Sequence, residues 1–418
     1  MINRFLILLI DKSIYVLLFS VLLYSCSPDP IQEIQNLEEE NFSTFPNFKS
    51  EPIEDQYIVV FHEDQLSFRV DWDYYENSQA MMRKEVDAFF RKHRIDPEGL
   101  EHIFTTALTG FSARIKPETL PAIMADPKVN YLEQDRKGEL GPFEIQRGRP
   151  VAEEEKESTQ VIPWGVQRVG GAFPFRGRHS VFILDTGIDI NHPDLNVDVR
   201  KGFDAYGGKR PNWNVQDEHG HGTHVAGTVG ALDNGFGVVG VAAGVPVVPV
   251  KIFTGPRAAY TYSGLVAGIE YVGVRGIPGD VANLSFGGFD ESRVLDDAVL
   301  NVSNKRRVWM VIAAGNSRLP ASAFSPARVE GTFTITVSAF QNGDVFAPFS
   351  HFGHPVKFAA PGVNIRSTWL NGRYANSTGT SMAAPHVAGL RVLGSIGTDG
   401  FVLNYPLPDP APIAFRRE

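Results

Sequence analysis

The sequence predicts an α/β fold, a parallel sheet with helices on both faces, preceded by a small α+β domain. Three observations carry that reading. From Val161 onward, short apolar runs alternate with segments of helical spacing. Short apolar strands separated by helices belong in a sheet that is covered on both sides. Asp185, Ser285 and Asn316 each stand just past such a run, at the strand ends where parallel sheets collect their functional groups.

Strands are expected at 181–184, 245–253, 281–284, 308–313 and 333–337, and helices at 263–274, 291–304 and 382–392. Upstream, 57–62 (YIVVFH) reads as a strand, and 80–93 has helical spacing with Met81, Val86, Phe89 and Phe90 on its apolar side. Residues 110–115 alternate like a strand, 117–125 resemble a second helix, and 129–132 a last strand. The order is βαββαβ-like, in a segment near the minimum size that folds alone. Residues 137–159 then change character. Gly138, Gly141, Pro142, Gly148, Pro150 and the acid-rich run 153–157 make an exposed linker of the sort proteases cut. After Gly389 little chain remains. Arg391 interrupts an apolar helix face, and a proline-rich tail, 397–418, leaves the back of the core in question.

The chain has 418 residues, 43% hydrophobic and 21% charged, ordinary for a globular protein with a substantial core. A net charge of −9 argues against a nucleic-acid partner, because phosphate binding needs a basic face. Residues 13–25 are apolar and follow Arg4 and Lys12, the layout of a secretory signal. Leu23-Tyr24-Ser25-Cys26 resembles a bacterial lipobox, which would make Cys26 a lipidated N-terminus. The plainer alternative is a free cysteine beside an ordinary cleavage site. As Cys26 is the only cysteine, no intramolecular disulfide can form. The polar, acidic stretch from there to Ser50 reads as a flexible tether.

Four motifs carry the chemistry: Asp185-Thr186-Gly187-Ile188-Asp189, 219–228 (HGHGTHVAGT), Ala313-Ala314-Gly315-Asn316, and 379–389 (GTSMAAPHVAG). Singly, each has a plain explanation as a turn aspartate, a turn asparagine or a helix-capping serine. In this order they resemble the subtilisin-like serine peptidases, from about 159 to 392, with some detail closer to proteinase K. The resemblance implies a subtilisin-like parallel sheet and a Ser-His-Asp triad. Ser381 would attack a peptide carbonyl, His221 would carry its proton, and Asp185 would orient the imidazole. The Asn316 side chain and the Ser381 N–H would hold the oxyanion. Pro385 is tolerable in the helix because it lies near the first turn. His224 would be a packed helix residue and His219 a loop residue.

The same resemblance assigns the surroundings. Ser285, Phe286 and Gly287 with Ala313, Ala314 and Gly315 would wall the first specificity pocket, giving broad apolar preference. Ala258, Ala259 and Tyr260 would be an edge strand that pairs with extended peptides, and Tyr262 would line a pocket further along. A calcium ion would be held by side chains of Gln160, Asp194 and Asn234 and carbonyls of Leu232, Phe236 and Val238, six oxygens that suit Ca²⁺. Residues 57–135 resemble the propeptide of these enzymes, a small α+β, ferredoxin-like unit that chaperones and inhibits. The expected divisions are a signal at 1–25, a tether at 26–50, the propeptide at 51–137, a cleavable linker at 138–158 and the catalytic domain at 159–418. Matching IPWGV to the family's mature start puts cleavage near Thr159, with other sites open within residues 137–158. A lipid on Cys26 would then anchor the precursor to a membrane, and cutting would free the enzyme into the periplasm or outside the bacterial cell.

Two other functions stay open at this point. The fold could carry a catalytically silent peptide-binding protein. Alternatively, His219, His221 and His224 follow an H-x-H-x-x-H pattern found in metal-dependent hydrolases, although Thr223 stands where an acid usually precedes the third histidine.

Overall fold

The computed structural model describes residues 50–72, 74–140, 144–146, 159–207, 214–287 and 290–417. The signal, Cys26 and the tether up to residue 49 lie outside the described residues. The first domain comprises β1 (Glu51–Phe61), α1 (Tyr75–His93), β2 (Leu100–Phe104), β3 (Gly110–Arg114), α2 (Leu120–Met124) and β4 (Val129–Glu139). Its strands pair antiparallel in the order β4-β1-β3-β2. One sheet face, with Val59, Phe61 and Phe111, packs on Met82, Val86, Phe89 and Phe90 of α1. The buried stripe therefore runs i, i+4, i+7, i+8 from Met82. Met81, expected on that side, is one position out of phase and only half-buried. The helix also starts earlier than its apolar pattern suggested, at Tyr75.

Beyond the linker come β5 (Glu144–Gln146), α3 (Trp164–Arg168), β6 (Phe173–Pro174), β7 (Val181–Asp185), β8 (Phe203–Asp204) and α4 (His221–Gly230). Then follow β9 (Ala242–Ala243), β10 (Val247–Lys251), β11 (Ala259–Thr261), α5 (Tyr262–Arg275), β12 (Val281–Leu284), α6 (Arg293–Arg306) and β13 (Trp309–Ala313). The last elements are β14 (Thr334–Gln341), β15 (Val345–Phe346), β16 (Val356–Pro361), β17 (Ile365–Trp369), β18 (Arg373–Thr378), α7 (Thr380–Leu393), β19 (Ile396–Phe401) and β20 (Pro412–Arg416).

The central sheet runs β16-β14-β13-β12-β7-β10-β8, parallel throughout. All of β7, β10 and β12 is buried, as a sheet covered on both faces requires. Phe182, Leu184, Val248, Val250 and Ile312 join the cluster that contains residues of α5 and α6. Their sequence neighbours point to the opposite face, where α4 packs against α7.

The tail does cover the core. Strand β20 lies parallel to β16 and antiparallel to β19, so the proline-rich segment extends the sheet. Val402, Ala411 and Ile413 pack with Phe340 and Phe346. Arg391 does not break the helix face, because its guanidinium sits 4.0 Å from the centre of the Trp309 ring, a cation–π contact. On the other side, β11 pairs antiparallel with β4, so one five-stranded sheet runs through both domains.

Candidate active site

Strand β7 delivers Asp185 at its carboxyl end, and α4 delivers His221 as its first residue. His221 Nδ1 lies 2.7 and 2.9 Å from the two Asp185 carboxylate oxygens, and both side chains are fully buried. A nitrogen facing a carboxylate carries its proton, which leaves Nε2 as the basic position. Glycines permit this approach. A Cβ on Gly222 would lie 2.1 Å from the Gly187 carbonyl oxygen, and one on Gly220, whose φ is +108°, would lie 2.4 Å from the Trp369 ring.

Ser381 is the second residue of α7, where main-chain N–H groups lack helical acceptors. Its hydroxyl donates to the Ser285 carbonyl (2.9 Å), and the Ser285 hydroxyl donates back to the Ser381 carbonyl (2.7 Å). The second bond corrects the expectation for Pro385. That proline lies beyond the first-turn N–H groups, so its missing N–H does cost the Ser381 carbonyl a helical donor. Ser285 supplies the replacement, held in turn by Asn283 Nδ2 at 2.7 Å. Asn316 Oδ1 accepts from the Thr380 N–H and hydroxyl, both at 2.8 Å. The amide is thereby fixed, with Nδ2 3.4 Å from where a Gly379 Cβ would stand.

The two expected pocket walls do meet: a Cβ on Gly287 would touch the Ala313 carbonyl at 2.5 Å. Phe286 differs from expectation. Its side chain turns into the core against Phe253, ring centres 5.7 Å apart, so only its backbone can line a pocket. Beside the walls, β11 carries Ala259 and Tyr260 opposite Glu139 and Gly138 of β4, and the Leu140 N–H donates to the Ala258 carbonyl at 2.9 Å. Tyr260 leaves no room opposite it, since a Cβ on Gly138 would lie 2.5 Å from its hydroxyl. Tyr262 is buried, with its hydroxyl 3.0 Å from Ser50 Oγ. Ser50, expected at the end of the tether, is thus docked on the second domain. Strand β5 pairs with β18, which leads directly into Gly379 and Ser381. Segments at the start of the chain's own linker therefore occupy two strand edges of the second domain, β11 and β18.

The three histidines serve separate partners. His224 Nε2 donates to the Ile365 and Ala375 carbonyls (2.9 and 3.2 Å), and burial pushes its pKa down to about 3. His219 is pushed down to about 4 by burial and by the charge of His221. With His221 committed to Asp185, the metal-hydrolase pattern has no common focus.

The expected calcium residues do converge. Gln160 Nε2 donates to the Leu232 carbonyl (3.1 Å) while its Oε1 accepts the Gly235 N–H (2.6 Å). Asn234 Nδ2 and the Val238 N–H donate to the two oxygens of Asp194 (3.1 and 3.0 Å). Asp194 is fully buried, and burial pushes its carboxyl up to about 6.

Sequence reasoning missed the carboxylates that join the domains. Glu133 accepts the Ser292 hydroxyl and the Val294 N–H at the start of α6 (2.6 and 3.1 Å). Asp135 accepts the Ser263 N–H at the start of α5 (3.1 Å). Burial raises both pKa values. In the other direction, Glu270 of α5 accepts the N–H groups of Thr105, Thr106 and Ala107 (2.8, 2.8 and 2.5 Å). A usable signal existed for the first two: acids two residues apart on a strand share one face.

Comparison with known proteins follows this geometry. A model described as the subtilase family matches residues 178–393. The chain belongs to the subtilase family. A second model, described as peptidase inhibitor I9, matches residues 56–140 of this subtilase, the segment that forms the first domain. Alkaline serine exoprotease A of Vibrio alginolyticus is 33% identical over 351 residues, covering 82% of the subtilase and 60% of the relative. An alkaline protease of Alkalihalobacillus alcalophilus is 34% identical over 357 residues, 84% of either chain. An extracellular serine proteinase of Thermus sp. (strain Rt41A) is 33% identical over 327 residues, 75% of the subtilase and 71% of the relative. The family makes the subtilase a serine-type peptidase with an inhibitor-type propeptide.

Proposed function

We propose that the subtilase is an exported serine endopeptidase made as a self-cutting precursor. Ser381 attacks the peptide carbonyl, and His221 takes its proton and returns it to the leaving amine as the C–N bond breaks. Water then hydrolyses the Ser381 ester, with His221 again as base. Asp185 orients the imidazole, while Asn316 Nδ2 and the Ser381 N–H receive the charge on the carbonyl oxygen. The reading is carried by the buried Asp185–His221 pair, supported by a serine at the start of a helix whose neighbour Thr380 holds the Asn316 amide. Labelling of the cut enzyme by a serine-directed phosphonate, lost in a Ser381→Ala chain opened in trans by the parent enzyme, supports this function; labelling that persists in that variant overturns it. The extended pairing along β11 suits peptides read through their backbones. A catalytically silent binder has no need of the complete set. The name of the Thermus relative, with the apolar segment 13–25, supports export.

Two pairings support a first cut between residues 140 and 144 rather than near Thr159. Strand β4 follows β11 as far as Leu140, and β5 resumes beside β18 at Glu144. The linker expected at 138–158 would then be opened near its beginning and stay on the catalytic half until trimmed. The lipid on Cys26, which rests on the residues alone, would remain with the first half. Mass analysis of both products tests these points together. The expected result is a new N-terminus within 141–144 on a soluble catalytic half and an acyl group on Cys26 in the membrane fraction. A first product beginning near 159, or a membrane-bound mature half, overturns the respective reading.

The residues 160, 194, 232, 234, 236 and 238 fit calcium. They carry the oxygen donors such an ion takes, gathered about one buried carboxylate, and a Gly237 Cβ would lie 2.5 Å from Asp194 Oδ2, so the loop wraps it closely. A bound ion would neutralise Asp194 and rigidify the loop. At thousandfold saturation it adds about 4 kcal/mol, roughly 10 °C in a domain of this size. Excess chelator is expected to lower the melting temperature of the cut enzyme by that order; an unchanged value removes calcium from the account.

A further inference from the structure

We infer that Asp217, a residue of none of the four motifs, is the positioning residue that keeps the base and its orienting acid in register. The inference rests on the triad reading of the site. Asp217 is 4% exposed, and its carboxylate joins the two segments that carry the pair. One oxygen accepts from the Thr186 hydroxyl (2.8 Å) and from the His219 and Gly220 N–H groups (both 2.9 Å). The other accepts from the Thr223 N–H (3.0 Å) and the Thr223 hydroxyl (2.6 Å). Thr186 is the residue after Asp185, while Gly220 and Thr223 lie on either side of His221. A single carboxylate therefore grips the acid from behind and the base from both sides.

The surrounding bonds strengthen the link. Thr186 Oγ1, having donated to Asp217, accepts the Gly222 N–H at 3.0 Å. The main chains are joined as well: the Asp217 N–H donates to the Ile188 carbonyl, and the Ile188 N–H to the Val215 carbonyl, both at 3.1 Å. Helix α4 has Gly220 at its N-cap, a residue with no side chain to cap it. Asp217 takes over that function from outside the helix, where its negative charge also suits the helix N-terminus. These neighbours present donors to the carboxylate: three N–H groups that cannot accept and two hydroxyls that donate. Burial raises the Asp217 carboxyl pKa above its ordinary value, and these donors oppose that rise by favouring the ionised form. The threonines of the D-T-G and H-G-T-H motifs thus acquire a common purpose, since both are bound to Asp217.

Asp217→Asn is the sharpest test, because it keeps the shape and turns one oxygen into an NH₂ group that must face donors. A displacement of about 1 Å in a reacting constellation costs on the order of 10²-fold in rate. The purified full-length precursor is followed by its first-order self-cutting rate and its melting curve. The cut enzyme is followed by kcat and KM on a short peptide, per titrated active site. The expected result is a folded Asp217→Asn precursor that cuts itself 10- to 100-fold more slowly, with kcat lowered similarly and KM within twofold. Thr186→Val should slow the cut in the same way, and Thr186→Ser, which keeps the hydroxyl, should restore it. If Asp217→Asn does not fold, the Thr186 pair decides. Self-cutting within twofold of the parent in Asp217→Asn, or in Thr186→Val should that variant alone be testable, overturns the inference. So does a loss explained by fewer titratable sites at unchanged turnover per site. Failure of the triad reading is separate: it would appear as self-cutting that survives Ser381→Ala.

Discussion

Ser381→Ala leaves the precursor whole. Strand β4 is seated on β11 and β5 on β18, so the proposed first substrate is a segment of the same chain whose two flanks are already paired with the second domain. Self-cutting in such a chain is a single intramolecular turnover, independent of concentration, and it reads the chemical step alone. Removing the serine of a Ser-His-Asp triad costs about 10⁶ in turnover, a figure measured on subtilisin, a member of this chain's own family, rather than derived from this structure. A half-life of minutes would become one of years. Purified Ser381→Ala chain is therefore expected to run as one band after days of incubation, and hydrolysis of added peptide should vanish with it. Cutting at 140–144 at the parental rate would assign the chemistry to another group and overturn the triad. The variant should melt no lower than the parent precursor, because the lost hydroxyl gives up only one hydrogen bond, that to the Ser285 carbonyl.

The second large effect lies at the domain interface. Glu270 is 4% exposed and receives three consecutive N–H groups of the first domain along with the Thr105 hydroxyl. Glu270→Ala strips those donors of their acceptor inside a closed interface. Leaving buried donors unpaired costs about 3 kcal/mol in all, roughly two orders of magnitude in the inhibitor's hold. The cut complex of the variant should escape inhibition about 100-fold sooner, read as a shortened lag before peptide hydrolysis begins. Its final kcat should match the parent, since Glu270 faces the first domain and not the triad. An unchanged lag would mean that the shared strands alone carry the inhibition.

The triad was legible because its members stand in short motifs whose order is informative without any distances. Strand ends at Asp185 and Asn316 were legible for a simpler reason: a buried parallel strand is an unbroken apolar run, and the first polar residue after it is conspicuous. The hairpin of β17 and β18 was legible too, in principle. Its Asn371-Gly372 pair, with φ of +61° and +68°, is a strong short-range turn signal. Other features had no local signature. Strand β5 exists because β18 offers it an edge, and nothing in Glu144-Ile145-Gln146 requires a strand. Glu270 looks like an ordinary helix acid until it meets Thr105 to Ala107, far away in the chain. Asp217 stands among polar loop residues, and only the folded backbone reveals five donors around it. Phe286 illustrates the opposite case, a residue expected at a pocket wall whose side-chain direction is decided by core packing.

The sheet shared by β4 and β11 also has a meaning in time. Parallel strands pair only after the crossover helix between them has been built, so sheets of this kind close long loops and fold slowly. Here the crossover from β10 to β12 is α5, and that from β12 to β13 is α6. Asp135 and Glu133 bind the first turns of those two helices, and β4 aligns the strand that leads into α5. The first domain, made of antiparallel neighbours and a single long helix, can form early. Once formed, it fixes the origins of both crossovers and lowers the entropy that the central strands must lose to find each other. A nucleus supplied in this way leaves with the inhibitor. The cut enzyme then keeps a fold that its own remaining chain would be slow to reach again.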